Sequence, residues 1–416
     1  MKNLSCPYKG APLKCKIVQI SIQREEKINN YTYFYRMTGV YESTYQAARS
    51  VAATVEAHFA HHLNSAAGKG VSDLAEHPPA YYIEAIIDAA FWASLRKEEG
   101  RSPRISIAFL PPDQVDSALL FGSRLTLNSL VLTKLAPGIE RPGVHLGVWY
   151  DENGLYIWGT TIKLPNFCFV LDVSEPGLLV IKHRRMCGFG KYSNVAVLKG
   201  DQVKVVDESC VHHADCPPIL KALLDLSAFI NHSVNVLIQL AVSMRAHHQG
   251  GILLVVPAGS NDWKRSIIQP MQYLVDPPFT GLANMVWKEG VDRSESVWQS
   301  MLNREVDNLA GLTAIDGATI INDQHELIAF GAKISIAETS TRLERVALIE
   351  PVVGGEADTV HPGKIGGTRH LSAAQFVHDQ HDAIALVASQ DGVFTIFSWS
   401  PTAQTVQAHR IDTLLL

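Results

Sequence analysis

The chain has 416 residues, 47% apolar and 19% charged, with a formal net charge of −5 at neutral pH. This length supports two domains with cores of their own, and the acidic balance excludes a general binder of nucleic acid or of anionic membranes, which repel such a surface. The first residues hold no apolar signal-peptide segment and no uncharged run reaches the ~18–20 residues that span a bilayer, so the expected protein is cytoplasmic, with its six cysteines reduced and structural.

Residues 1–44, with Cys6, Pro7, Pro12 and Cys15, lack sustained periodicity and are expected to be a peripheral lead-in carrying one strand over 16–22. From Tyr45 onward, Ala47, Ala48, Val51, Ala52, Val55, Phe59 and Leu63 fall at three- and four-residue steps, which predicts a helix ended by Gly68 and Gly70. A second helix is predicted over 81–98, then a buried strand over 105–110 stopped by Pro111 and Pro112. Two apolar runs, 144–150 and 155–159, flank Asp151-Glu152-Asn153-Gly154, a strong hairpin signal. Strands follow over 168–173, 177–183, 195–198 and 203–206, with a turn at Lys199-Gly200-Asp201. Two helices followed by an antiparallel sheet make an α+β domain over 45–216. At one end of that sheet His183-Arg184-Arg185 either holds a small anionic ligand or is a solvated strand end, and Trp149 and Trp158 fit either a site or the core.

Cys210-Val211-His212-His213-Ala214-Asp215-Cys216 has thiolate and imidazole ligands that suit zinc, but its spacing matches no standard finger. The pairs His61-His62 and His247-His248 read as solvated helix ends. Pro217-Pro218 then opens a second domain, 217–416, with a long amphipathic helix to about 246, whose most apolar part still carries Lys221, Asp225 and His232. Gly250-Gly251 ends it, and a strand over 252–256 and another over 273–275 follow. Residues 282–311 predict helix with a break near Gly290, then a hairpin over 318–334 turning at 322–325. A mobile loop over 337–365 surrounds one strand at 346–349. A Gly366–Leu371 loop, a helix over 372–381, a strand over 384–388 and a hairpin turning at Asp391-Gly392 complete an α/β domain with one mixed sheet flanked by helices.

Chemistry gathers in three places of this second domain. Gly366-Gly367-Thr368-Arg369-His370-Leu371-Ser372 combines glycines that admit close approach, two hydroxyls, a planar cation and a helix start, an arrangement that suits phosphate. Upstream, Asp316-Gly317-Ala318 sets a carboxylate at the mouth of a short apolar strand. Downstream, the 383–388 strand ends at Ser389 and a polar loop with Gln390 and Asp391. Each piece alone also fits a plain structural role: a capping carboxylate, a solvated Arg and His, a loop hydroxyl.

In their order and spacing these three pieces resemble the diadenylate cyclase (DAC) domain, over about residues 218–416. The preceding module, in Leu155-Tyr156-Ile157-Trp158-Gly159 and Gly188-Phe189-Gly190-Lys191-Tyr192, resembles the probable sensor domains of the DACNV type. The resemblance implies joining of two ATP molecules into cyclic di-AMP, with a divalent metal (Mn²⁺ or Mg²⁺), a face-to-face homodimer because each site holds one ATP, and control by an unknown small ligand at the sensor domain. It implies that Asp316 holds the metal and favours deprotonation of the attacking hydroxyl, with Asp391 as a further metal ligand. Arg369 and His370 would act on the phosphates, while Gly317, Ala318, Gly367, Thr368, Ser372 and Ser389 bind nucleotide. Two departures stand out: the family's Arg-His-Arg is here Arg369-His370-Leu371, and its acidic pair after the serine is Gln390-Asp391. Lys333 or Lys364 are the candidates for replacement charge. The alternative is a catalytically silent DAC-like domain that serves as a receptor for ATP or a cyclic dinucleotide.

Overall fold

In the computed structural model the described residues are 43–115, 118–185, 192–213, 215–224, 232–287 and 296–416. The expected lead-in strand at 16–22, the Gly188–Tyr192 motif up to residue 191 and the predicted break near Gly290 lie outside them.

The two predicted N-terminal helices are α1 (Gln46–Gly68) and α2 (Ala80–Ser94). Their apolar stripes, Val51, Val55 and Phe59 on one and Ile83, Ile86 and Ala90 on the other, are buried. They cover a sheet of eight strands: β1 (Ile105–Phe109), β2 (Leu119–Thr126), β3 (His145–Asp151), β4 (Gly154–Thr161), β5 (Phe169–Glu175), β6 (Leu178–Arg184), β7 (Tyr192–Lys199) and β8 (Gln202–Val205). The order is β2-β4-β3-β1-β5-β6-β7-β8. β1 and β3 are parallel and every other pair is antiparallel. The β3–β4 turn works as predicted: the Asp151 carboxylate accepts from the Asn153 N–H at 2.7 Å, and Gly154 takes φ +108°. The sequence reading missed β2 and α3 (Ser129–Ile139), because β2 is an exposed edge without alternation and α3 carries Pro137 in its interior.

The second sheet joins β9 (Gly251–Val256), β10 (Tyr273–Phe279), β11 (Ala318–Asn322), β12 (Leu327–Ala332), β13 (Val346–Ile349), β14 (Asp358–Val360), β15 (Ile384–Ala388), β16 (Phe394–Ser400) and β17 (Thr405–Arg410). Its order is β10-β12-β11-β9-β15-β16-β17-β13-β14. Every residue of β9 and β11 is buried, as expected for strands with cover on both faces. One face meets α4 (Pro218–Leu224), α5 (His232–Ala246), α6 (Gly281–Trp287) and α7 (Ser296–Leu312). The other meets α8 (Thr368–Asp379), whose Ala373, Phe376 and Val377 are fully buried. α4 and α5 are the two ends of the predicted long helix, and residues 225–231 between them are outside the described set. The expected mobile loop over 337–365 contains β14 as well as β13, and β17 was also unforeseen.

The first seven strands of the two sheets share one path. The parallel pair β1/β3 corresponds to β9/β11, the antiparallel additions β4 and β2 to β12 and β10, and the run β5-β6-β7 to β15-β16-β17. Residues 43–416 form one compact unit. The sheets are tied by a 2.8 Å bond from the Val353 N–H to the Val205 carbonyl, by the Lys204–Glu350 ion pair and by Asn194, which donates to the Thr413 carbonyl at 2.9 Å. Among the described residues no helix is long and apolar enough to cross a membrane.

Candidate functional site

Helix α8 begins four residues earlier than its periodicity suggests. Gly367 is its N-cap, in extended conformation and without a side-chain cap, so Thr368, Arg369 and His370 form the first helical turn rather than a loop. The uncapped N–H groups and the positive end of the helix dipole therefore face outward at this point. Gly366 is required by packing: a Cβ there would lie 2.3 Å from Nδ1 of His370.

Two clefts flank this turn, and Thr368 and Arg369 line both. The smaller, about 150 Å³, is bounded by Asp316, Gly317, Ala318, Lys333 and Ser372. The larger, about 410 Å³, is bounded by Gly366, Gly367, His370, Ser389, Gln390 and Asp391, a size within the ~300–1,000 Å³ common for small-molecule sites. Asp316, Gly317, Ala318, Thr368, Arg369 and Ser372 thus meet in one cleft. Gly367, Thr368, Arg369, His370, Ser389 and Asp391 meet in its neighbour. The two carboxylates assigned to the metal, Asp316 and Asp391, line different clefts.

Asp316 sits in the bend before β11 with its side chain 93% exposed. Lys333, just past β12, donates to its carboxylate at 2.6 Å and to its carbonyl at 3.2 Å. That hydrogen bond and charge, with a further contribution from Arg369, hold the Asp316 carboxyl below the usual range. Lys333 thus stands beside the site, whereas Lys364 lines neither cleft. Gly317 has φ +121°, and a Cβ there would lie 2.5 Å from the Gly331 carbonyl carbon. Its need for glycine comes from β12 pressing on it, and the thin wall beside the cleft is a by-product. Arg369 packs against another glycine: a Cβ at Gly250 would lie 2.9 Å from Nη1 of Arg369.

His370 is 2% exposed, packs edge-on to Phe397 and leaves Nε2 buried without a hydrogen-bond partner. Burial, reinforced by Arg410, pulls it down to about 4, so near neutral pH it is an uncharged ring forming the floor and not a phosphate-pairing cation. Ser389 donates to the Asp391 carboxylate and accepts from the Val393 N–H at 3.1 Å; its hydrogen bond is the main cause that holds Asp391 low. The same turn, 391–393, is a wall of a third cleft of about 820 Å³ that reaches the first sheet. Arg245 on α5 braces it, donating to the Gly392 carbonyl at 3.2 Å and the Leu415 carbonyl at 3.0 Å.

That third cleft was not foreseen. It is floored by a hydrogen-bonded set in which Ser106 meets Asp172 at 2.5 Å and His145 at 2.6 Å, and His145 meets the Tyr192 hydroxyl at 2.7 Å. Lys182, which pairs with Asp172, and Lys199 and Lys204 stand around it. The basic trio expected to mark a ligand site is mostly closed off instead. His183 and Arg185 are buried, and Arg185 donates to the Ala222 and Leu223 carbonyls at the end of α4. Trp158 belongs to the core, its indole donating to the Leu110 carbonyl at 2.8 Å, while Trp149 is half-buried. Cys210 to Cys216 builds no three-ligand group among the described residues; Asp215 instead accepts from Ser400 and Thr402.

The family model described as Probable sensor domain DACNV matches residues 72–162, which run from the loop before α2 to the end of β4. This is a sensor-domain family associated with diadenylate cyclases. No curated protein matches the chain.

Proposed function

We propose that the chain is a diadenylate cyclase whose C-terminal sheet joins two ATP molecules into cyclic di-AMP and whose N-terminal sheet senses a small ligand. The observation that carries this reading is the shared cleft of Asp316 and Arg369, residues far apart in the sequence, the second on the first turn of α8. In the reaction the 3′-hydroxyl of one ATP attacks the α-phosphate of the other, diphosphate leaves, and the same exchange in the opposite sense closes the ring.

The residues divide that work. The first turn of α8, with Thr368 and Ser372 hydroxyls and the Arg369 guanidinium, takes phosphate oxygens, since dipole, N–H donors and a bidentate cation act together there. The larger cleft, between His370 and the 389–391 turn, takes the remainder of the nucleotide. Asp316 offers an exposed oxygen donor, and a hard divalent ion binds through one or two carboxylates together with substrate phosphates, so the residues fit Mn²⁺ or Mg²⁺. When bound, such an ion neutralises phosphate charge and acidifies the attacking hydroxyl. A carboxylate held low stays ionised, which suits Asp316 to holding a cation and orienting the hydroxyl more than to carrying a proton away. Lys333 stands where it can exchange Asp316 for a phosphate and so replace part of the charge lost at Leu371. Two chains must face each other for turnover, because one cleft accommodates one ATP.

A second reading, a silent receptor for ATP or a cyclic dinucleotide, is favoured by Leu371 and Gln390 and by the separation of Asp316 from Asp391. Purified protein incubated with ATP and Mn²⁺ or Mg²⁺, with the nucleotides resolved, separates the two. The cyclase yields cyclic di-AMP, and Asp316→Asn lowers the yield at least ~100-fold, the scale of losing a preorganised electrostatic group. Binding of ATP without product supports the receptor.

A further inference from the structure

His61 and His62 read alike in the sequence as solvated, and the structure separates them. His61 is exposed, while His62 turns inward from α1 toward Glu208, its Nε2 2.9 Å from the carboxylate. His58, one turn earlier on the same face, brings Nδ1 to 3.7 Å from the other carboxylate oxygen. Glu208 lies in the short 3-10 helix between β8 and α4, the segment that links the two sheets. The three side chains are 14%, 16% and 30% exposed, and their ligand atoms all lie within 4.8 Å of one another.

A carboxylate between two imidazoles is also what a simple ion pair gives, so a second observation matters. His183 on β6 is 1% exposed, and its Nδ1 is 3.1 Å from the Arg184 carbonyl. That bond fixes the proton on Nδ1 and leaves Nε2 as a bare lone pair, buried and without a partner. Its ring centre is 5.6 Å from that of His58 and 6.2 Å from that of His62, so the three imidazoles pack side by side. His58 likewise leaves its Nε2 buried and unpartnered. Buried imidazole nitrogens without partners are costly, and two of the rings here, His58 and His183, carry that cost.

We propose that His58, His62 and Glu208 bind a divalent ion of the zinc class, with a water in the fourth position and the buried His183 ring packed beside them. Two imidazoles and a carboxylate suit zinc by donor type. Ligands at zinc distances in a tetrahedron stand about 3.4 Å apart, and the 2.9 and 3.7 Å contacts of Glu208 straddle that value. Phe167 stacks on His62 and His183 and walls the spot with apolar surface. The ion would fasten α1 to the connector that leads into the second sheet. It stands apart from the nucleotide clefts and does not depend on what they bind.

The full chain, stripped with chelator and dialysed against Zn²⁺, is expected to retain one equivalent by elemental analysis and to gain thermal stability that EDTA reverses. Co²⁺ in its place is expected to give the strong visible absorption of a four-coordinate site. Glu208→Gln and His62→Asn should each weaken retention at least tenfold, whereas His61→Ala, on the exposed neighbour, should leave it unchanged. Zinc retained equally by Glu208→Gln and His62→Asn lies on other histidines and overturns the assignment, as does a folded wild-type chain that retains none. Should either variant lose its circular-dichroism signature, the wild-type Co²⁺ spectrum decides, a weak octahedral spectrum being the adverse result.

Discussion

The two sheets follow the same path through seven strands, yet the Asp316–Arg369 cleft belongs to one of them only by virtue of what lies between two neighbours in space. In the first sheet β4 passes to β5 through residues 162–168; in the second, β12 passes to β15 through residues 333–383, which add β13, β14 and α8. The added segment brings the Thr368–Arg369 turn against the mouth of β11. Before the corresponding strand β3 the first sheet has Gly143 and Val144, where the second has Asp316 and Gly317 before β11. A shared scaffold thus carries a large cleft with a polar floor in one half and a cation–carboxylate cleft in the other. Function follows the grafted groups and not the sheet that holds them.

That contrast can be broken by experiment. The largest effect is expected at the graft itself: Arg369→Ala should weaken ATP binding roughly 10- to 100-fold, the cost of a charge-assisted contact, while leaving the melting temperature near that of the wild type. Calorimetric titration of ATP checks both, and unchanged affinity would remove α8 from the site. Next come the two glycines at the equivalent strand mouths. Gly317→Ala meets both a left-handed φ and the Gly331 backbone at 2.5 Å, whereas Gly143→Ala meets φ +82° in open space. Denaturant unfolding should show Gly317→Ala costing more than about 2 kcal/mol and Gly143→Ala about 1 kcal/mol. Equal costs would mean that β12 does not press on Gly317 as described.

The smallest effect per group is a pH dependence read at three histidines of the second sheet. Burial pulls His325, His370 and His409 from the ordinary histidine value to about 4. The unfolded chain binds protons that the folded chain refuses between pH 6.5 and 4, so stability is complete above that window and falls as pH drops through it. The three together predict a loss on the order of a few kcal/mol, read as a falling urea midpoint between pH 7 and 4. Replacing His409 by Gln should flatten part of that slope; a slope unchanged by the substitution would show that the ring is already solvated.

Much of this architecture was legible along the chain. Helix α1 announced itself by seven apolar residues at helical steps, β9 and β15 by short apolar runs, and the β3–β4 hairpin by Asn-Gly, because each signal is local and periodic. The acidic Asp316 mouth and the Gly366–Ser372 stretch could be picked out for the same reason. What escaped had no local signature: β2 lies exposed at an edge, α3 tolerates Pro137, β14 has three residues, and α8 starts at Thr368 because Gly367 caps it in a conformation that side-chain pattern does not report.

The residue types and their chemistry, an Asp before an apolar strand, an Arg and hydroxyls at a helix start, histidines spaced four apart, were determined by the sequence. Which of them meet was decided by the tertiary structure. Strand pairing brought residues from 316 and 369 to one cleft, parted Asp316 from Asp391, buried His370 as a neutral ring and turned His62 toward a glutamate 146 positions away. Burial and through-space charge depend on neighbours that sheet order supplies, and sheet order is a long-range property that no local stretch of sequence encodes.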